Sequence, residues 1–137
     1  MSEPSHSAGG EPIRALRASA HVSVQDATDT DGAAWDRYLA TRPDGSFYHL
    51  FGWRQVLRST LGLEPVYLLA CENGQIVGVL PMVLLSSRLF GRILCSMPFL
   101  NYGGPCADSE AAATSLTTVR QQNAGCPKPF IVIAEQP

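Results

Sequence analysis

Past its first twenty or so residues the chain falls into short stretches of two kinds: apolar positions alternating every second residue, and apolar positions recurring every third or fourth. The first pattern marks strands and the second amphipathic helices. His21–Gln25 places Val22 and Val24 on one side, as a half-buried strand does. The aspartates of DATDTDG supply turn residues, and Asp31 is placed to cap a short helix over Ala33–Ala40 with Trp35, Tyr38 and Leu39 at helical spacing. TRPDGS then ends that helix in a Pro-Asp-Gly turn. Phe47–Leu61 has the clearest two-sided pattern. Leu50, Trp53, Val56, Leu57, Thr60 and Leu61 share one face, Arg54, Gln55 and Arg58 the other, and Gly62 closes the helix.

Two β-rich runs follow, Pro65–Glu72 and Gln75–Ser86, joined by Asn73-Gly74. Asn and Gly both tolerate the positive φ of a type I′ turn, so a hairpin is predicted. The second run, IVGVLPMVLL, is apolar on both faces and calls for cover on both sides, while Pro81 removes a ladder donor and predicts a bulge or an edge position there. After a polar, basic break over Ser86–Arg92, Arg92–Met97 reads as another strand. Asp108 is placed to cap a helix over Ser109–Gln122 with Ala112, Leu116 and Val119 inward, ended by Gly125. The order strand, two helices, hairpin, strand, helix belongs to an α/β (α+β) sandwich of helices on a mostly antiparallel sheet.

Composition narrows the function classes. Of 137 residues, 45% are hydrophobic and only 16% charged, against roughly 25% charged in an average chain. A net charge of -2 with ten scattered Lys and Arg leaves no basic stripe, which argues against binding DNA or RNA through phosphate contacts. Four cysteines without a C-x-x-C pair predict neither a metal site nor a redox motif. Met1–Ala20 has no apolar leader core and no periodicity, so a disordered tail, reduced cysteines and a cytoplasmic chain are expected. The longest apolar run, Ile76–Leu85, is interrupted by Pro81 and is half the roughly twenty residues a membrane span requires. Attachment at most peripheral to the inner membrane is therefore expected.

Few residues carry candidate chemistry. Of three histidines, His49 stands out beside Tyr48 at the start of the amphipathic helix, where the positive dipole end disfavours an imidazolium; it is either a ligand-facing residue or a capping one. In Asn101-Tyr102-Gly103-Gly104 the glycines let backbone approach a ligand while the amide and phenol supply hydrogen bonds, or the glycines simply turn the chain toward the next helix. Arg88 and Arg92 flank Leu89-Phe90-Gly91 and suit either an anionic carrier, a lipid head group or a solvated strand break. No catalytic residue can be assigned.

Trp35, FYHLFGW from Phe47, PVYLLACENGQIVGVLPM from Pro65, SSRLFGRILCSMPFLNYGG from Ser86 and Ala107-Asp108 together resemble the amino-terminal half of FemAB-like proteins, in particular the FemAB-related proteins of exosortase and exopolysaccharide systems. The resemblance spans Val22–Val119. It implies a GNAT-like fold and an N-acyltransferase that moves an acyl or aminoacyl group from coenzyme A or tRNA to an amine of a cell-envelope or exopolysaccharide precursor. It also implies that the carrier is held by a second half, so no cofactor is expected on this chain. Three segments follow: a tail over 1–20, a GNAT-like domain over 21–122, and a divergent tail over 123–137 that points to a truncated or frame-shifted product. Gln122–Pro127 comes close to the [QR]-x-x-G-x-[GA] loop that cradles a pyrophosphate, but Pro127 has no N–H to donate and the loop follows a helix. A noncatalytic binding module and an inactive product are the alternatives. If Val77, Val79, Met82, Val83 and Leu85 lost their cover, the chain would self-associate through the uncovered sheet.

Overall fold

The computed structural model describes residues 21–89, 91–98, 100, 103–122 and 131–133. The expected tail over 1–20, and Gly125 with most of the 122–127 loop, lie outside them. The fold is α+β: a mostly antiparallel open sheet with three helices. Strands β1 (Ser23–Asp26), β2 (Glu64–Glu72), β3 (Gln75–Ser87) and β4 (Gly91–Cys95) form an antiparallel meander. β5 (Cys106–Ala107) pairs with β3 at Gly78 and Val79, and β6 (Ile131–Ile133), in the segment read as a divergent tail, pairs parallel to β4. Helices α1 (Gly32–Ala40) and α2 (Trp53–Leu61) precede the hairpin, and α3 (Glu110–Gln122) connects β5 to β6.

The hairpin forms as predicted. Asn73 and Gly74 take φ of 52° and 77°, the left-handed pair that matches the twist of the flanking strands. The side chains of β2 and β3 then divide between two cores. Tyr67, Leu69, Val79 and Val83 point toward α1 and α2, where they meet Trp35, Leu39 and Leu57. Leu68, Ala70, Leu80, Met82 and Leu84 point the other way, in one cluster with Ala112 and Leu116 of α3. Both faces of β3 are thus covered within one chain: Val79, Met82 and Val83 are fully buried, which removes the reason for self-association at those positions. Gly78 admits α3 closely, since a Cβ there would lie 3.0 Å from Leu116 Cδ1.

Of the two alternatives at Pro81, the edge position is the one found: the bulge lies at Val77, skipped between the pairs Ala70–Gly78 and Cys71–Ile76, while Pro81 pairs in register with Tyr67 and has no strand on its other side among the described residues. Three further local expectations are corrected. The helix expected over Phe47–Leu61 is broken: Phe47–His49 is a separate 3-10 turn, Leu50 turns extended at ψ 140°, and α2 starts at Trp53. On α2 only Leu57 is buried, while Val56 is 41% and Leu61 51% exposed. Arg54, expected on the polar face, instead lies over the Phe51 ring and pairs with Asp29. At the helix starts, Asp31 accepts from Thr28 in the preceding turn, and Ser109, not Asp108, bonds the Ala112 N–H of α3 at 3.2 Å.

Candidate functional site

β3 is longer than the strands beside it, and its outer edge is shared. β5 takes Gly78 and Val79, β4 begins at Val83, and between them no strand pairs with Leu80–Met82 among the described residues. In an extended strand the N–H and C=O of one residue point to the same edge, and here they are those of Pro81. The ring removes the donor, leaving one carbonyl to satisfy. The Ser96 hydroxyl donates to it at 2.7 Å and accepts the Gly104 N–H at 2.7 Å. One buried side chain, first after β4, closes the opening of the sheet and fastens the loop that follows.

Because that loop is fastened to Ser96, its glycines are constrained. A Cβ on Gly103 would lie 2.7 Å from the Ser96 carbonyl oxygen and 2.9 Å from its hydroxyl, so no larger residue fits. Gly104 takes φ of +94°, open to glycine at little cost. Met97 is also left-handed, at φ 46°, a conformation that costs a non-glycine residue about 1–3 kcal/mol. It is buried, and its sulfur receives the Tyr67 hydroxyl at 3.8 Å. A close approach and two left-handed residues within eight positions mark this as the most constrained backbone among the described residues.

His49 supports the loop from beneath. Its Nδ1 accepts the Ser46 N–H at 3.2 Å and faces the Ser46 hydroxyl at 2.7 Å. That leaves the ring proton to Nε2, on a ring adjoined by the backbone of Gly104. A second proton on Nδ1 would oppose the Ser46 N–H. Burial depresses the pKa, and the Gly104 bond and the Asp44 charge offset this only in part, so the ring is neutral at pH 7. Its neutrality comes from burial at 5% exposure and from Ser46, not from the dipole of α2, which begins four residues later. The His49 carbonyl in turn accepts the Trp35 indole N–H at 2.7 Å, and Trp35 stacks on Tyr67 with centroids 5.0 Å apart.

A second polar cluster anchors the far end of the loop. Arg42 bonds Asp44 at 3.0 Å, Asp108 at 3.0 Å and the Ala107 carbonyl at 2.8 Å. The Tyr38 hydroxyl reaches Asp108 at 2.8 Å and the bulge carbonyl of Val77 at 3.0 Å, and Val77 also takes the Asp108 N–H at 2.8 Å. Burial and the neighbouring Asp108 push Tyr38 far above its ordinary range. The Cys106 thiol, beneath the cluster, is pushed up to about 11, first by burial and then by Asp44, so it carries no thiolate at neutral pH.

The structure therefore brings together three of the five sequence-selected positions, His49, Gly103 and Gly104, at the carboxyl end of β4. Asn101 and Tyr102 lie outside the described residues. Ser96, Ser46 and Trp35 complete the arrangement. Sequence reasoning missed Ser96: Pro81 could be picked out as a missing ladder donor, but the hydroxyl that answers it lies fifteen residues on and is brought there only by the pairing of β3 with β4. Among the described residues, no group of three His, Cys, Asp or Glu side chains is placed to hold a metal, and no helix is long and apolar enough to cross a membrane. Neither protein-family models, nor characterised proteins, nor solved structures give a match to this chain.

Proposed function

We propose that the chain is a GNAT-like lobe of a FemAB-like N-acyltransferase, contributing the surface that receives the acceptor amine, with the acyl or aminoacyl carrier held outside this lobe. The observation that carries the reading is the change of strand direction at β4. A four-strand antiparallel meander gives way to the parallel unit β4–α3–β6, and the constrained loop Ser96–Gly104 lies at the carboxyl end of β4. In open α/β sheets, ligands bind beyond the carboxyl ends of strands where the topology changes. An acceptor bound there would meet backbone groups of a loop held by Ser96 and His49, with Asn101 and Tyr102 supplying further hydrogen bonds. A cytoplasmic setting and an envelope or exopolysaccharide precursor as acceptor belong to the same proposal.

One observation favours a second reading, a noncatalytic binding module. The acceptor nitrogen of the His49 ring, Nδ1, is taken by Ser46 and Cys106 stays protonated, so neither is poised as a base or nucleophile. The test combines a thioester-release assay, using acetyl coenzyme A and a lysine-bearing muramyl pentapeptide, with the thermal stability of the chain against that peptide. The expected result is a stabilising shift with the peptide and no thioester release by this chain alone. Release above background would place the donor site within the chain and overturn the two-lobe reading; the absence of any shift would overturn the acceptor reading.

A further inference from the structure

The turn between β1 and α1 meets α2 where two arginines converge on one carboxylate. Arg54 and Arg58 stand one helical turn apart on α2 and so share a face. Nη1 of each is directed at the same atom, Oδ1 of Asp29: Arg54 pairs with it directly, and Arg58 lies 3.8 Å away. Asp29 opens the 3-10 turn Asp29–Asp31 that leads into α1, and its side chain is 75% exposed. The Arg54 side chain is only 13% exposed, with its guanidinium 5.5 Å from the centre of the Phe51 ring.

One carboxylate thus answers two guanidinium groups. Like charges four residues apart on a helix repel, and burial, together with Arg58, pushes the Arg54 guanidinium below its ordinary value. The carboxylates nearest in the fold are engaged elsewhere: Asp31 Oδ2 accepts the Thr28 N–H at 2.6 Å and the Thr28 hydroxyl at 2.8 Å, and Asp36 Oδ1 accepts the Phe51 N–H at 2.9 Å. Nε of Arg54 is closed off from solvent without a hydrogen-bond partner, the one buried side-chain donor in that state among the described residues. A donor left so in a native fold calls for a reason.

We infer that the face formed by Arg54 and Arg58 binds a phosphate monoester, and that the Asp29 carboxylate is the internal anion this ligand displaces. Asp29 Oδ1 marks where a ligand oxygen would sit, because both guanidinium groups already converge on it. Charge selects phosphate over carboxylate. A carboxylate brings one negative charge, no more than Asp29 supplies, whereas a phosphate monoester carries close to two at neutral pH and offers three strong acceptor oxygens. The planar fork of arginine suits those oxygens. Displacing Asp29 costs little, since its exposed side chain has solvent to turn into and exposed ion pairs contribute little stability. None of these three residues belongs to the Ser96–Gly104 loop or to its supports, so the inference does not depend on the transferase reading.

Calorimetric titration of the full chain with glycerol 3-phosphate, at about pH 7.5 and constant ionic strength, tests it. Saturable binding is expected, and acetate under the same conditions is expected not to bind. Asp29→Asn removes the internal competitor and is expected to tighten binding about threefold. Arg58→Ala, at an exposed side chain, is expected to weaken it about tenfold with an unchanged melting temperature. The opposite signs separate a ligand site from an ion pair that only ties the turn to α2. Four results would overturn the inference: no saturable binding by either the natural chain or Asp29→Asn, binding that Arg58→Ala leaves unchanged, binding that Asp29→Asn weakens, or acetate binding as tightly as glycerol 3-phosphate.

Discussion

The two faces of the sheet are covered by different means. Toward α3 the contacts are aliphatic: Leu68, Leu80, Met82 and Leu84 meet Ala112 and Leu116, and Gly78 lets the helix approach. Toward α1 and α2 the core is aromatic, and its large members also make polar contacts. Trp35 bonds the His49 carbonyl, Tyr67 the Met97 sulfur, and Tyr38 the bulge carbonyl of Val77. An aliphatic face supplies cohesion without direction. An aromatic face whose N–H and O–H groups reach backbone fixes where loops run, and all the loops of the candidate site lie on that side.

Substitutions can separate the two contributions. The largest effect is expected for Trp35→Ala, which removes the stack on Tyr67 and leaves the buried His49 carbonyl without its donor; chemical denaturation should show a loss of about 4–5 kcal/mol. Leu116→Ala on the opposite face should cost about 3 kcal/mol. The contrast is sharpened by amide exchange at Gly104, which Trp35→Ala should accelerate beyond its global destabilisation and Leu116→Ala should not. Ser96→Ala leaves the Pro81 carbonyl and the Gly104 N–H unpaired and should cost about 2 kcal/mol, with the same local loosening. Equal Gly104 exchange in all three variants at matched stability would erase the distinction between the faces.

The smallest effect expected is a pH dependence. His49 has a depressed pKa in the fold, so its contribution is fully present above the unfolded value of about 6.5 and is lost as pH falls through the lower folded value. Stability should therefore decline with acidification below about pH 6.5, and less steeply in His49→Gln, whose side chain does not titrate. A steeper decline in the variant would contradict the buried neutral ring. Cys106, held up to about 11, should resist iodoacetamide at pH 8 in the native state and react once the chain is unfolded.

What was legible in the sequence follows from how local the cause is. The Asn73-Gly74 hairpin, the inward Ala112 and Leu116 of α3 and the order of the longer elements rest on turn chemistry and periodicity and formed where expected, while Val119, also expected inward, is only half-buried. The break before α2 was not legible. The pattern of Phe47–Leu61 is helical throughout, but Ser46 and His49 close their own turn, and the Asp36 carboxylate on α1 accepts the Phe51 N–H at 2.9 Å. β5 and β6 span two and three residues, lengths at which pairing with a neighbour, not propensity, decides. At the candidate site, His49 and the glycines could be selected by residue type, but Ser96 acquires its role only when Pro81 is seen facing an open edge.

The central claim is that the constrained loop after β4 is the face that receives a ligand. It is tested most directly by a two-dimensional NMR titration of the full chain with a lysine-bearing muramyl pentapeptide, following the amides of Gly103 and Gly104 and the His49 ring. Saturable shifts are expected at these three residues while Leu89, at the opposite end of β4, stays unchanged. Saturable shifts confined to other parts of the sheet, or none at all, would contradict it.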